Sequence, residues 1–359
     1  MRVLLTNNSF RFYQGSELVT LELAEFFVAR GDDVVLFTNR PGAPIKGETA
    51  GLARTGRFKL ISDDSAELDP KFDLIWMHHN LLPTAVIEAL GKGLAAHIVW
   101  HHMSTFVEIE MPLFAPLERR IADRVSAVSP KAVEVLRTYG LTGQIDVFPN
   151  PAPAAFFEFS GRRRPADRPA SVLVVSNHPP AEVTAAMTLL QASGVRAEHI
   201  GEGTTPRRIT PGLLDGYDAV LTIGKTVQYA LPQGLPVYEY DHFGGVGWLL
   251  ASNFAAEAAH NFSGRATQEQ KTAQQIHDEI LSGYPAALDF ASHSPVTTTD
   301  TYRLTAAMEQ ILAKLPKRPR RKKLPAAEVA RFAAFCRLQR GLHLAASYYA
   351  DGLAEKSKV

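Results

Sequence analysis

The N-terminal residues alternate between short apolar runs and one amphipathic stretch. Residues 3–5 form an apolar run typical of a buried strand, and a polar turn is expected at 7–15. From Ser16, an expected N-cap, apolar side chains recur at helical spacing as far as Gly31, where the helix is expected to stop. A second apolar run at 34–37 completes a strand–helix–strand unit. This order predicts a parallel sheet with a right-handed crossover.

The same alternation continues up to residue 148 and then stops. Strands are predicted at 58–61, 74–77, 97–100, 124–128 and 145–148, and helices at 82–90, 113–124 and 130–139. The segment that follows is rich in proline, arginine and small residues, which is typical of a linker. We therefore predict a Rossmann-like domain at 1–155 and an interdomain linker at 156–170.

The pattern restarts after this linker and predicts a second, smaller doubly wound domain at 171–312. Strands are expected at 171–175, 197–201, 219–223 and 237–240, and helices at 181–193, at 226–231 and from Trp248 onward. The predicted fold class is α/β, with two Rossmann-like doubly wound domains facing a central cleft and a C-terminal helical extension. Ligands of such sheets bind at the carboxyl ends of the strands, so the cleft is the expected site.

The last segment, 313–359, combines a basic stretch with a helix. Residues 314–323 carry seven basic side chains and no acidic one. The stretch is either a solvated linker or a surface that contacts an anionic membrane. Residues 326–349 are expected to form one long helix whose packing face carries Phe332, Phe335, Leu338 and Leu342.

The amino-acid composition excludes several classes of protein and of site. Lys plus Arg number 38 against 37 Asp plus Glu, so no net positive field is available to attract nucleic acid. The single cysteine, Cys336, excludes an internal disulfide and a cysteine-based zinc cluster. The N-terminal apolar run is too short for a signal peptide, and no run approaches the roughly 18 residues of a membrane span. We expect a cytoplasmic protein, with peripheral contact at the inner face of the membrane through 314–323.

Two glycine-containing segments of the second half have the chemistry of phosphate sites. Gly224 and Lys225 end a strand and open a helix, which directs backbone N–H groups and an ammonium to one place. Gly244, Gly245 and Gly247 follow the next strand and are expected to precede another helix. Glycines there would let the backbone approach a diphosphate and donate several N–H groups.

A phosphate-loop NTPase is excluded by what precedes the first of these segments. Gly-Lys-Thr at 224–226 matches the end of that motif. Residues 219–223, however, form an apolar strand where the motif needs a loop that begins with glycine.

Histidines occur in two adjacent pairs, each at the end of a predicted strand. His78–His79 and His101–His102 should therefore lie near the cleft, with one member of each pair facing the ligand. Two interpretations stay open, a general base or sugar contact and a hydrogen-bonded structural histidine. A metal site is not favoured, because no nearby set of Asp, Glu and His has ligand spacing. Glu108, in the loop that follows, is either a solvated charge or an acceptor contact.

The region from Leu221 to Trp248 resembles the donor-binding region of GT-B glycosyltransferases, particularly glycosyltransferase family 4. Its order is strand, glycine, helix, a Gly-x-Pro-Val turn, strand, and Asp-x-x-Gly-Gly. The Gly-x-Pro-Val turn and the glycine turn after it are formed by Gly234, Pro236, Val237, Asp241, Gly244 and Gly245. The first half is also similar to the family, at Gly15, the strand VWHHMS, Ser129 and Asn150.

The resemblance implies a metal-independent hexosyltransferase of the EC 2.4 class that requires no cofactor. It would move a sugar from a nucleotide-sugar donor to a glycan or glycolipid acceptor in cell-surface polysaccharide biosynthesis. His101 and His102 are the catalytic candidates. The donor-binding candidates are Gly224, Lys225, Thr226, Gln228, Asp241, His242, Phe243, Gly244, Gly245 and Gly247. The acceptor-binding candidates are Gly15, Ser16, His78, His79 and Glu108.

The sequence departs from the family at the charged positions of the donor domain. Val220 and Gln228 stand where the family carries two glutamates, and the family's arginine and lysine near residue 177 are missing. Lys225 is expected to supply the lost cation. Two alternatives follow. One is a non-catalytic GT-B scaffold that binds a glycan or a partner transferase, and the other is a sugar-nucleotide epimerase of the same fold.

Overall fold

The computed structural model describes residues 1–62, 67–104, 112–159, 164–201, 203–204, 206–294, 296 and 300–356. Its contacts divide the chain into two compact units. The first unit comprises 1–128, 132–147 and 313–359, and the second comprises 129–131 and 148–312. The predicted division placed 313–359 in a segment of its own, whereas the structure joins it to the first unit.

The first unit is built on a seven-stranded parallel sheet of order β3-β2-β1-β4-β6-β7-β8. Its strands are β1 (Arg2–Phe10), β2 (Asp33–Pro41), β3 (Phe58–Ile61), β4 (Leu74–Met77), β6 (His97–His102), β7 (Arg124–Ala127) and β8 (Ile145–Val147). The helices are α1 (Gly15–Ala29), α2 (Ile45–Arg54), α3 (Thr84–Lys92), α4 (Ala115–Ile121) and α5 (Pro130–Thr138). The order of strands reverses at β1, which is the topology of a doubly wound sheet.

Strand β1 continues well beyond the expected apolar run. Asn7 and Asn8 lie inside it and are fully buried. The Asn7 Nδ2 donates to the Ser16 carbonyl oxygen (3.1 Å) and to Thr20 Oγ1 (2.9 Å). These hydrogen bonds offset the cost of burying the amide. The polar turn expected at 7–15 is therefore wrong for the residues that belong to β1.

Helix α1 begins two residues earlier than expected. Gln14 occupies the N-cap position and Ser16 lies in the first turn, so the predicted N-cap is corrected. The helix ends at Ala29, and Gly31 follows with a φ of 89°. The predicted glycine stop is confirmed, because a left-handed residue ends a helix most readily when it has no Cβ.

The second unit has a five-stranded sheet of order β10-β9-β11-β12-β13. Its strands are β9 (Ser171–Val175), β10 (Arg196–Ile200), β11 (Ala219–Thr222), β12 (Val237–Asp241) and β13 (Gly244–Trp248). The helices are α6 (Ala181–Ala192), α7 (Pro211–Asp215), α8 (Lys225–Ala230), α9 (Phe254–Ala259), α10 (Ala273–Ser292) and α11 (Leu304–Ala313). Apolar clusters cover both faces of this sheet.

The helix expected from Trp248 is wrong. Residues 244–248 instead form β13, which pairs antiparallel with β12. Gly244 and Gly247 have φ values of 83° and 82°, which let the chain turn back directly after β12. The next helix, α9, begins only at Phe254.

The C-terminal helix α12 (Ala326–Lys356) packs on α3 of the first unit. Its buried side chains include Phe332, Ala333, Cys336 and Gln339. The predicted packing face is wrong at Leu338 and Leu342, which are 60% and 62% exposed. Two successive three-residue steps rotate Leu338 away from Phe332 on a helix of 3.6 residues per turn, and Leu342, four residues further on, stays off the packed face.

Some basic side chains of the stretch before α12 form ion pairs inside the first unit. Lys322 is buried, and its Nζ lies 2.8 Å from the Asp123 carboxylate. Lys314 pairs with Asp146 at 2.8 Å. Strand β14 (Arg321–Lys322) pairs with β5 (Leu94–Ala95). Within the described part of the chain, none of the helices has the length and apolar character needed to cross a membrane.

Candidate functional site

The structure brings the two histidine pairs of the first unit together. Strands β4 and β6 are neighbours, and the histidines follow or end them at the carboxyl edge of the sheet. The ring centroids of His78 and His101 lie 5.4 Å apart, and those of His78 and His79 lie 6.1 Å apart. All four side chains, including His102, are buried.

His78 is hydrogen-bonded at both ring nitrogens. Its Nε2 accepts from the Trp76 indole N–H (2.9 Å), and its Nδ1 lies 3.1 Å from Thr20 Oγ1. Thr20 in turn donates to the Ser16 carbonyl oxygen (2.8 Å). Burial lowers the pKa of His78 well below its usual value, so the ring is neutral. His78 therefore ties β4 to the first turn of α1, beside the predicted acceptor residues Gly15 and Ser16.

The members of the second pair have different partners. His101 Nδ1 lies 2.9 Å from Ser126 Oγ, and burial together with the neighbouring His102 lowers the pKa of His101 to about 3. His102 Nε2 lies 2.7 Å from the Glu118 carboxylate, and both of these side chains are buried. A carboxylate at one ring nitrogen fixes the tautomer and stabilises the protonated ring. His102 therefore has a carboxylate partner of the kind that an acid–base histidine needs.

The backbone is strained next to these histidines. His79 and Asn80 have φ values of 57° and 52°, which non-glycine residues rarely adopt. The His79 Nδ1 accepts a hydrogen bond from the Asn8 backbone N–H at 3.2 Å. Strain of this kind is concentrated at functional sites, which supports a ligand-binding role for this edge of the sheet. Glu108, the remaining acceptor candidate, lies outside the described residues.

Sequence reasoning missed Glu17, which organises the turn before α1. Its carboxylate is buried and accepts from the Phe12 backbone N–H at 2.6 Å. Burial raises the pKa of Glu17, and hydrogen bonds from residues 9–12 oppose that shift. The signal was an acidic residue in the first turn of a helix that follows the first strand. Nowhere in the described ranges does a group of three or more His, Cys, Asp or Glu side chains have metal-site geometry.

In the second unit, α8 begins at Lys225 as predicted, but its lysine is not presented to a ligand. Lys225 is only 5% exposed, and its ammonium donates to the Pro151 carbonyl oxygen. The same ammonium lies 4.7 Å from the centre of the Tyr229 ring. The ammonium therefore already has partners inside the unit, and the donor-binding role expected of Lys225 stays a prediction.

The other candidates on α8 are also buried. Thr226 and Gln228 are both below the surface. The Gln228 amide lies between the Asn261 side chain (3.3 Å) and the Gly224 carbonyl oxygen (2.6 Å). The Gly224 N–H donates to the Phe262 carbonyl oxygen at 2.5 Å. The start of α8 is therefore joined to the segment that follows α9.

The glycines of β13 serve close backbone contacts. The Gly245 N–H donates to the Glu269 carbonyl oxygen (3.0 Å), and a Cβ on Gly245 would lie 2.0 Å from the Glu239 carbonyl oxygen. A Cβ on Gly244 would lie 2.5 Å from the Glu269 carbonyl oxygen. The Gly245 amide is thus used inside the unit, and Gly244 and Gly245 make room for neighbouring backbone, while the phosphate-binding role expected of these glycines stays a prediction.

The carboxyl end of β12 brings together three donor candidates. The Asp241 carboxylate accepts from the His242 backbone N–H (2.8 Å), and the His242 ring centroid lies 3.7 Å from that of Phe243. Ser176, which directly follows β9, donates its hydroxyl to both Asp241 oxygens at 3.2 and 3.1 Å. The order of the second sheet reverses at β9, so these residues lie where doubly wound sheets bind ligands.

Comparisons with known proteins bear on the family and the fold. Residues 13–156 match the family model described as Glycosyltransferase Family 4. A glycosyltransferase from Rickettsia africae ESF-5 is similar in structure, with a TM-score of 0.55 and 11% identity, over 87% of this chain and 97% of its own. The chain has the GT-B fold and resembles glycosyltransferase family 4.

Two further solved structures share this GT-B fold. WaaG, a glycosyltransferase involved in lipopolysaccharide biosynthesis, has a TM-score of 0.50 and 11% identity, over 86% of this chain and 99% of its own. Arabidopsis thaliana UGT89C1, complexed with UDP-L-rhamnose, has a TM-score of 0.51 and 12% identity, over 87% and 98%. The comparison with curated proteins gave no match. At these identities the structural likeness establishes the fold.

Proposed function

We propose that this protein is a glycosyltransferase of the hexosyltransferase type. It would move a sugar from a nucleotide-sugar donor to a glycan or glycolipid acceptor in cell-surface polysaccharide biosynthesis. The observation that carries this proposal is the histidine cluster at the carboxyl ends of β4 and β6, because it lies within the segment that matches the family, 13–156. The WaaG likeness is consistent with the choice of acceptor class.

Glycosyl transfer needs a group that takes the proton of the acceptor hydroxyl. In the reaction, the acceptor oxygen forms a bond to the anomeric carbon, and the bond from that carbon to the phosphate oxygen breaks. The nucleoside diphosphate leaves with the electron pair. We assign the acid–base role to His102, because Glu118 binds its Nε2 and the basic lone pair then resides on Nδ1. His101, with a pKa of about 3, is too weak a base.

On the donor side, we propose that the nucleotide binds at the carboxyl ends of β9 and β12. Ser176, Asp241, His242 and Phe243 gather there, and hydroxyl and imidazole groups can donate hydrogen bonds to phosphate and sugar oxygens. Cationic and polar side chains can offset the charge of a leaving diphosphate without a metal ion. The proposal therefore includes no metal and no other cofactor.

We also propose that the protein works in the cytoplasm, at the inner face of the membrane. Lys317, Arg318 and Lys323 are exposed on the first unit. Each exposed cation near an anionic lipid surface contributes about 1 kcal/mol of attraction, so the three together would favour peripheral association. A vesicle sedimentation assay with and without anionic lipid tests this placement.

The function is tested by sugar transfer. The full chain is incubated with radiolabelled UDP-, GDP- and dTDP-sugars and with glycolipid and oligosaccharide acceptors from a bacterial envelope. The expected result is acceptor-dependent incorporation of label from one donor, and its loss in Glu118→Gln. Hydrolysis or conversion of the donor at the same rate without an acceptor would instead favour a hydrolase or an epimerase.

One observation favours a non-catalytic scaffold as a second candidate. Val220 and Gln228 are buried at the positions where the family carries glutamates, so neither family carboxylate is present. A scaffold that has lost donor binding would show no thermal stabilisation by any nucleotide. Stabilisation by one nucleoside diphosphate would exclude this reading.

A further inference from the structure

The segment 261–268 of the second unit is held in a strained conformation. Asn261 and Phe262 have φ values of 57° and 51°, and Gln268 has a φ of 54°. Non-glycine residues in this region cost free energy, of order 1 kcal/mol each, and persist only where surrounding contacts hold them. The fold thus gives up some stability to keep this loop in one shape.

Buried carboxyl groups hold the loop from inside the unit. The Gly264 N–H donates to the Glu239 carboxyl group at 2.8 Å, and the Thr267 hydroxyl donates to the Glu257 carboxyl group at 2.6 Å. Both glutamates are fully buried. The bond from the start of α8 also holds residue 262. Together, these contacts fix the position of Arg265, which lies between Gly264 and Thr267.

Arg265 is stacked on one of the donor candidates. Its guanidinium carbon lies 3.8 Å from the centre of the Phe243 ring, and the His242 ring packs on the same phenylalanine. A guanidinium stacked on a ring keeps its N–H donors in its own plane, directed past the edge of the ring. Arg265 is half-buried, and burial lowers its pKa, so a bound anion would favour the charged form.

The position of this arginine is that of a phosphate ligand. Phe243 lies in the two-residue connection from β12 to β13, at the carboxyl edge of the sheet where Ser176 and Asp241 also meet. Planar, bidentate donors of arginine match the oxygens of a phosphate group. Lys225, the cation expected from the sequence, is instead bonded to the Pro151 carbonyl oxygen.

We propose that Arg265, and not Lys225, is the cation that binds the diphosphate of the donor. This assignment rests on the proposed function, because it names the phosphate contact of the same donor site. Phe243 would orient the guanidinium, and the strained loop would hold it in place before the donor arrives.

Titration calorimetry with UDP, GDP, dTDP and ADP tests the assignment on the full chain. Arg265→Gln removes the charge and keeps much of the stem, whereas Arg265→Lys keeps a charge but loses the planar donors. Arg303→Gln is a matched control, since Arg303 also stacks on a phenylalanine of this unit, 4.4 Å from the Phe157 ring. Lys225→Met tests the rival cation.

The expected loss of affinity for the bound nucleoside diphosphate is about 10- to 100-fold in Arg265→Gln, with a smaller loss in Arg265→Lys. Arg303→Gln and Lys225→Met should bind as the wild type does. The corresponding nucleoside, which has no phosphate, should bind equally to the wild type and Arg265→Gln.

Three results would overturn the assignment, and they differ in what else they remove. If the wild type binds a nucleoside diphosphate and Arg265→Gln binds it equally well, only the role of Arg265 is lost. If the wild type binds none of the four, the donor site and the proposed function are lost with it. If Arg265→Gln weakens binding of the nucleoside as strongly as binding of the diphosphate, Arg265 maintains the structure of the site and does not contact phosphate. This result would also overturn the proposal.

Discussion

The carboxyl group of Glu257 is a close neighbour of that of Glu239 in the interior of the second unit, where both side chains are buried. Glu239 lies on β12 and Glu257 on α9, and each also accepts a hydrogen bond from the loop that carries Arg265. Burial first, and then the neighbouring Glu257, raise the pKa of Glu239 to about 9. The pair therefore holds at least one proton at neutral pH, which makes a hydrogen bond between two acids possible.

This pair should make the second unit less stable as the pH rises. Glu239 has a usual pKa of 4.5 and a folded-state pKa of about 9, so unfolding releases its proton between those values. The free energy of unfolding then falls with increasing pH across this window. Glu239→Gln, which is neutral at every pH, should flatten this dependence in thermal melts from pH 5 to pH 9. Glu309→Gln, at an exposed position, is the control, and an equal flattening there would contradict the account.

Substitution by alanine should have different effects at Gly245 and at Gly212 of the second unit. A Cβ on Gly245 would lie 2.0 Å from a backbone oxygen, whereas Gly212 has open space around it. Gly245→Ala should lower the free energy of unfolding by at least about 3 kcal/mol, because backbone on both sides must move. Gly212→Ala should change it by at most about 1 kcal/mol. Urea denaturation measures both, and a mild effect at Gly245 would argue against the β12–β13 pairing.

Lys225 should contribute to stability and not to donor binding. Lys225→Met leaves the Pro151 carbonyl oxygen without its ammonium donor, and this should cost about 1 to 3 kcal/mol of unfolding free energy. The exposed Lys317→Met serves as control for loss of one positive charge. A Lys225→Met protein that is as stable as the wild type, yet fails to bind nucleotide, would restore the interpretation made from the sequence.

The His102–Glu118 contact should matter for turnover. Glu118→Gln keeps a hydrogen-bond acceptor but removes the charge that stabilises a protonated His102, so kcat should fall by about 100-fold. Ser126→Ala, which removes the partner of His101, should leave kcat nearly unchanged and lower the thermal midpoint instead. If the two variants show the reverse pattern in acceptor-saturated assays, His101 and not His102 carries the acid–base role.

The sequence predicts most strands of both sheets because buried parallel strands are short apolar runs between turn residues. The bounds of β3, β4 and β9 agree with the predicted ranges. Strand β13 was mistaken for the approach to a helix. Gly244 and Gly245 are explained by the nearby backbone of residues 269 and 239, and contacts of that kind leave no periodic pattern in the sequence.

The sequence predicts those site residues whose partners are near in sequence or lie at the ends of neighbouring strands. His78, His79, His101 and His102 gather as expected, since strands β4 and β6 are adjacent in the sheet. Lys225 could not be judged in this way, because the carbonyl oxygen that binds its ammonium is 74 residues away. Arg265 was missed for the same reason. Its partner Phe243 lies on another segment, and no local motif joins the two.

The most direct measurement is a crystal structure of the full chain soaked with the nucleoside diphosphate that binds most tightly. The account places the diphosphate at the carboxyl ends of β9 and β12, with phosphate oxygens within hydrogen-bond distance of the Arg265 guanidinium. A nucleotide bound with its phosphates on Lys225, or at a place remote from Ser176 and Asp241, would contradict it.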